Sequence, residues 1–293
     1  MLWGSAYSMM KVGFAYFPPV LYAALMFEVT GVIMFVTLFL RGARLFPRSG
    51  RTWIQFMIGA VFMIAAYHAL LFLGQQYTKT VYAAVIVSSS PIMTAFLAGL
   101  ILPDRTFSLR EATGLVISFS GVLLLLLGRA PDDPLVVSGL IGIGPVLILL
   151  GVLMFDGGVV VLKWFGTDRS PYVFLTWSML GGGTLLHAIG MIGMGERVSD
   201  IILTPTSVTI FAYFTLGPTL AGYLIYYYLL QHMDVVRLNI VSYFTPVAAA
   251  VIGYLWLSEI PRWSTVLGFV LILGGFLLTA FSGSVVQLRE SSG

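Results

Sequence analysis

Runs of about twenty apolar residues follow one another along almost the whole chain, separated by short charged or Pro/Gly-containing breaks. A run of that length matches the hydrocarbon thickness of a bilayer. Lipid offers the backbone no hydrogen-bonding partners, so each run is expected to be a helix that satisfies its own backbone. Ten runs stand out: Leu2–Phe17, Val20–Leu40, Trp53–Leu73, Val81–Leu102, Ala112–Gly128, Gly139–Leu162, Tyr172–Met194, Ser207–Leu230, Leu238–Leu257 and Ser264–Phe281. The first lacks a basic leader and a small-residue cleavage site, and is expected to be retained as a span. Of 293 residues, 59% are hydrophobic and only 9% charged, against roughly 25% charged in a soluble domain. Folding hides only about three quarters of the surface of a chain this size, so a water-soluble enzyme is excluded. The expected fold class is an all-α integral membrane protein with ten transmembrane helices.

The basic residues orient it. With the N-terminus inside, the cytoplasmic segments carry Arg41, Arg44, Arg48, Arg51, Arg105, Arg110, Lys163, Arg169, Arg237 and Arg289, and the outer ones only Lys79, Arg129, Arg197 and Arg262. That bias follows the positive-inside rule and places both termini in the cytoplasm. The net charge of +3 is too small to suggest a nucleic-acid partner, and the absence of cysteine excludes disulfides, thiolate nucleophiles and Cys-ligated metals.

The chain also repeats itself. A shift of 155 places Gln76 on Gln231, Pro91 on Pro246 and Asp104 on Glu259. A shift of 153 places Gly4, Gly13, Pro18, Val20 and Met26 on Gly157, Gly166, Pro171, Val173 and Met179. The reading is two five-span units, 1–130 and 139–283, with an outer linker at 131–138 and a cytoplasmic tail at 284–293. Five spans end on the opposite side from where they began, so the second unit enters the membrane inverted. Inverted repeats are the recurring plan of secondary transporters, whose halves rock about a site near the bilayer midplane.

Ionisable groups inside spans are costly and therefore candidate sites. Lys11 is the deep cation, and Gly4, Tyr7, Ser8 and Lys11 share one helical face expected to look into the bundle. It reads either as a cation for a substrate carboxylate or phosphate, or as a structural partner of Glu28 or Asp156. Those two acids are the candidates for proton coupling, while His68 and His187 read as hydrogen-bonded packing residues. Ser88 and Pro91 in the fourth run match Asn239, Ser242, Tyr243 and Pro246 in the ninth. Each proline leaves a carbonyl without its helical donor, which suits a hinge or the lining of a polar cavity. Tyr223, Tyr226 and Tyr227 share a face that could contact an apolar or aromatic ligand. No His-rich cluster suggests a metal, and no cofactor is expected.

One stretch, Ala83-Ala84…Pro91…Ala98-Gly99-Leu100…Pro103-Asp104 followed by Gly114…Gly121-Val122-Leu123, has a twin. That twin is Leu238-Asn239…Pro246…Gly253-Tyr254-Leu255…Ser258-Glu259 followed by Gly268…Gly274-Gly275. Together with Trp3-Gly4-Ser5, this pattern resembles the drug/metabolite transporter superfamily in its EamA-like ten-helix branch. The chain departs from the family pattern at Met26, near which an arginine is often found, and at Pro103-Asp104, where Gly-Glu is usual. The resemblance implies an inner-membrane exporter of small metabolites, amino acids among them, with a central cavity built from both halves. It would work in membrane lipid as a monomer or homodimer. Tyr7, Lys11, Ser88, Tyr223, Tyr226, Asn239 and Tyr243 would then contact substrate. A sugar-phosphate or nucleotide-sugar carrier, an intramembrane enzyme and a channel are the rival readings. Scarce deep cations count against the first. The other two lack a Gly-x-Ser-x-Gly nucleophile turn or a ring of like charge.

Overall fold

In the computed structural model the described residues are 2–101, 108–127, 136–137, 141–165, 170–232 and 235–280, the side chains of 126–127, 136–137, 141, 227, 230–243 and 280 excepted. Almost all of them are helical. The helical runs are α1 (Leu2–Gly13), α2 (Pro19–Leu40), α3 (Gly50–Gln76), α4 (Thr80–Ile101), α5 (Leu109–Leu127), α6 (Ile143–Phe165), α7 (Pro171–Gly193), α8 (205–232), α9 (Val235–Leu257) and α10 (Trp263–Ala280). Among the described residues α2, α3, α4, α6, α7 and α8 are long and apolar enough to cross a membrane by length and composition, with shorter apolar helices beside them. Val136–Val137 pairs antiparallel with Ile141–Gly142. Apart from Val136–Val137, the expected linker at 131–138 lies outside the described residues, as do Asp104 and the tail at 284–293.

The helices meet where glycine lets them. A Cβ on Gly275 would fall 2.3 Å from the Gly114 carbonyl, and one on Gly121 would fall 2.7 Å from the Gly268 carbonyl. Residue numbers thus rise along α5 as they fall along α10, and the two cross antiparallel at near backbone contact, as small residues permit in membrane packing. In the α2–α7 crossing, Gly31 meets Leu180 and Gly183 meets Glu28. α1 lies against α9, where a Cβ on Gly4 would come within 2.3 Å of that of Ala248.

Several helices are irregular for identifiable reasons. The run Leu2–Phe17 is helical only to Gly13, and Phe14–Phe17 turn the chain towards Pro18, whose extended backbone precedes Pro19 at the first helical position of α2. α4 breaks at Ser88–Ser89, just ahead of Pro91, and the two serine hydroxyls donate to the carbonyls of Val85 and Ile86. Pro246 sits inside the unbroken helix α9, so the matched proline coincides with a break in one half and not in the other. A triple-serine run precedes Pro91, and hydroxyls that satisfy carbonyls locally make it easier to leave the helix. α3 carries a π-helical stretch at Gly59–Ala66 and α8 another at Thr215–Ala221.

The ends of the bundle are built differently. At one end Glu196 accepts hydrogen bonds from the Val20 and Leu21 amides, 3.1 and 2.7 Å away, capping α2 with a carboxylate where the helix dipole favours one. The Ile202 amide donates to the Tyr16 carbonyl at the same end. At the opposite end Arg51 donates to the Phe165 carbonyl and its guanidinium lies 5.2 Å from the Phe165 ring centre. There too Trp177 donates to the Leu45 carbonyl at 2.8 Å.

Candidate functional site

A cavity of about 330 Å³ lies between the helices, in the range of small-molecule sites. α1 gives it Trp3, Ala6, Tyr7 and Met10, which recur at i, i+3, i+4 and i+7 and so form one face. α6 gives Val152, Phe155, Asp156 and Val159 at the same spacing. α3 contributes Tyr67 and His68, the residues that directly follow its π-helical stretch, and α8 contributes Pro218 and Thr219 from inside its own stretch together with Tyr223 and Tyr226 beyond it. π-helical segments shift the register of side chains relative to an ideal helix and recur at functional sites. α4 adds Ser88, Ser90, Pro91 and Thr94 from around its break.

Among the described residues the wall is apolar and aromatic with one acid. Asp156 is 1% exposed. Its Oδ1 accepts from the Ser90 hydroxyl at 2.6 Å and the Thr94 hydroxyl at 2.9 Å, while Oδ2 is buried with no hydrogen-bond partner among the described residues. The phenols of Tyr67 and Tyr226 are near enough to feel its charge, and Tyr7 pairs with Tyr67. Trp3 packs against Tyr223 and Tyr226, with ring centres 6.0 and 5.5 Å apart, and donates its indole N–H to the Pro218 carbonyl at 3.0 Å. The described residues of the wall include neither lysine nor arginine.

Towards the Glu196 end the cavity meets a layer of rings. Phe17 stacks on Tyr22 at 4.8 Å, Tyr22 abuts Phe72 at 5.8 Å, and Phe72 lies 6.1 Å from Phe214. All four are buried. Beyond them Lys11 donates to Glu259 Oε1 at 2.9 Å and to the Thr78 carbonyl at 3.0 Å, and Glu259 Oε2 accepts the Thr80 amide at 2.6 Å. That cluster ties α1, the α3–α4 turn and the α9–α10 joint together. Towards the other end the wall residues Trp3, Thr94 and Tyr226 are half-buried.

Several sequence expectations change here. Lys11 does not line the cavity; its charge is taken up by Glu259, and it bonds neither Glu28 nor Asp156. The inward face of α1 is Trp3/Ala6/Tyr7/Met10, about a third of a turn from the stripe of Gly4, Tyr7, Ser8 and Lys11, because the Gly4 edge is taken by close packing on α9. Glu28 stands outside the cavity wall, its carboxylate 3.2 Å from His187 Nδ1. Tyr7, Ser88, Pro91, Asp156, Tyr223 and Tyr226 do come together around the cavity. The side chains of Asn239 and Tyr243 lie outside those described, and Pro246 is buried in α9. His68, read as a packing residue, lies edge-on to Phe27 and bonds the Ile64 carbonyl, yet also borders the cavity. Sequence reasoning passed over Tyr67 and Thr94. The signal for both was spacing: Thr94 follows Ser90 by four residues, and Tyr67-His68 interrupts a run of alanines and large aliphatics.

Fold and site together define a multi-span membrane protein with a small-molecule cavity in its helical core. Comparison with known proteins narrows the class: the profile of the EamA-like transporter family matches residues 1–127 and 142–281, and the chain belongs to that family. It is a membrane transporter of the drug/metabolite transporter superfamily. A WAT1-related chloroplastic protein of Arabidopsis thaliana is 26% identical over 88% of this chain, which spans 61% of that relative's length. The uncharacterized transporter YdfC of Bacillus subtilis is 29% identical over 76% of this chain and 71% of its own. Protein PecM of Dickeya dadantii is 22% identical over 94% of this chain and 88% of its own. A solved crystal structure superposes with a TM-score of 0.65 at 19% identity, over 95% of this chain and 93% of that one, a likeness of fold.

Proposed function

We propose that the protein is a secondary transporter that exports small metabolites, with amino acids the first class to test, across the cell (inner) membrane. It would do so by alternating access of two inverted five-helix units, residues 1–130 and 139–283. The observation that carries this reading is a cavity walled by helices of both units and closed by an aromatic layer at the Lys11 end. The inverted relation is supported by reciprocal pairing: Gly114 meets Gly275 while Gly121 meets Gly268, the exchange that a two-fold axis produces between equivalent helices. The π-helical stretches of α3 and α8 support it too, since a shift of 155 carries 59–66 onto 214–221. With both termini cytoplasmic, the Lys11 cluster faces outward and the cavity loads from the cytoplasm. Of the two coupling candidates, Asp156 faces the cavity and Glu28 is engaged by His187.

Purified protein in liposomes tests the proposal. Saturable counterflow of a labelled amino acid or related metabolite is the expected result. Ohmic current without counterflow makes the protein a channel, and covalent turnover of the solute makes it an enzyme. The chain has no cysteine, so single cysteines report topology without background. Cysteines in the Arg41–Arg51 and Asp168–Arg169 turns are expected to label from the same side, and labelling from opposite sides overturns the inverted arrangement.

A further inference from the structure

We propose that the cavity selects organic monocations, with Asp156 as the counter-ion for a substrate ammonium and the surrounding aromatic rings as the receptacle for its apolar body. The inference rests on the carrier reading above and moves the substrate class of that site from amino acids to amines.

Three features point there independently of any relative. The first is the unused oxygen. Ser90 and Thr94 fix Oδ1, so the carboxyl group is oriented, and Oδ2 is without a partner among the described residues although Asp156 is 1% exposed. A buried acceptor left unpaired is costly, and an ionised one more so. Such a group is retained at low cost when something that visits the cavity completes it. The second is the sign of the wall. Glu259 is answered by Lys11 and Glu28 by His187, whereas the described cavity lining offers Asp156 no lysine or arginine. An anionic ligand would enter against the Asp156 charge, and a zwitterion would leave its carboxylate without a cation. A monocation neutralises the site. The third is the rings. Trp3, Tyr7, Tyr67 and Tyr226 border the same space, and aromatic faces attract an ammonium once it is desolvated. The cavity volume suits one small amine with a compact apolar body.

The site also gives a simple form of competition. A proton and an organic cation share one carboxylate, so occupancy by either lowers occupancy by the other. The titratable groups facing Asp156 are the phenols of Tyr67 and Tyr226, with Tyr7 bonded to Tyr67 and His68 beside them on the wall.

The experiment uses the full chain in detergent and in liposomes, with four probes that share one ring: 2-phenylethylamine, phenylalanine, 2-phenylethanol and phenylacetate. Binding is read by quenching of tryptophan fluorescence, and transport by counterflow. The amine is expected to bind about 10- to 100-fold more tightly than phenylalanine, with phenylacetate weakest. Asp156→Asn is expected to erase the preference of the amine over 2-phenylethanol, and Asp156→Glu to restore part of it. Tyr226→Leu is expected to weaken the amine severalfold and Tyr226→Phe to keep it. Phenylalanine binding as well as the amine, or amine affinity unaltered in Asp156→Asn, overturns the proposal. If Asp156→Asn binds none of the probes, the order among the four on the unaltered protein decides alone. Amine-selective binding without counterflow of any probe upholds the inference and removes the carrier reading. Counterflow of phenylalanine that survives Asp156→Asn does the reverse.

Discussion

Glu259 and Asp156 are both nearly sealed, at 8% and 1% exposure, and both belong to the second half of the chain. At the closed end, each oxygen of Glu259 has a donor: the Lys11 ammonium on one and the Thr80 amide on the other. In the cavity, the two described donors that reach Asp156 share a single oxygen, and the other meets none among the described residues. Burial alone does not distinguish these two acids; the count of their satisfied lone pairs does. Glu28 is a third case, about 28% exposed at the α2–α7 crossing and held by His187. The three acids thus grade from locked, through loosely paired, to open. Removing each should cost stability in that order, while substrate handling should follow the reverse order.

Glu259→Ala should produce the largest loss of stability. It strands a half-buried ammonium and an amide at the start of α4, and breaking a buried pair from one side costs about 3–5 kcal/mol. Lys11 keeps 29% of its side chain exposed, which lowers the figure to about 2–3 kcal/mol. Thermal denaturation in detergent should show it as a clear fall in Tm. If Glu259→Ala melts with the unaltered protein, the closed end is not held by this acid and the contrast with Asp156 collapses.

Lys11→Met asks whether the same lock is specific to one conformation. It removes the cation and keeps an unbranched apolar chain. If the cluster holds only the outward-closed form, a loss of about 1.4 kcal/mol moves the balance towards the outward-open form roughly tenfold. A cysteine placed at Phe17, within the aromatic layer, should then label faster from outside. Equal labelling rates would make the cluster a feature of both conformations.

Much of this was legible in the sequence, and the boundary between what was and was not is physical. Apolar run length located the helices to within a few residues, because lipid imposes that length on any span. The matched glycines marked the α5 and α10 helices that the structure packs together, since small residues permit the close approach. Tyr7, Ser88, Tyr223, Tyr226 and Asp156 were recognisable as polar groups in apolar helices. Which way a polar face turns was not legible: the periodicity of α1 fixed that Gly4 and Lys11 share a side, but only packing of Gly4 on Ala248 decides that this side meets α9. Ion-pair choice was equally hidden. Lys11 and Glu259 are 248 residues apart, and nothing in local spacing ranks that partner above Glu28 or Asp156. The π-helical register of α3, which presents Tyr67, leaves no mark in hydrophobic periodicity.

Glu28→Gln should lie between the extremes. Its partner His187 stays hydrogen-bonded to an amide of the same shape, and both side chains are partly exposed. A loss of about 0.5–1 kcal/mol is expected, with counterflow and its dependence on an imposed pH gradient unchanged. A gradient dependence abolished by Glu28→Gln would place proton coupling at the α2–α7 crossing.

Asp156→Asn should have the smallest effect on stability and the largest on substrate. The amide can still accept from Ser90 and Thr94 through its oxygen, so the hydroxyl contacts of Oδ1 persist. At the Oδ2 position the substitution exchanges a carboxylate oxygen without a partner among the described residues for an NH2 group directed at the aromatic wall. Removing an uncompensated buried charge is neutral or stabilising, so Tm should hold or rise slightly, in contrast to Glu259→Ala. A marked fall in Tm would mean that Oδ2 already has a partner in the folded protein, such as an ordered water. The cavity would then be a satisfied polar pocket like the closed end, and the distinction between the two acids would be one of position alone.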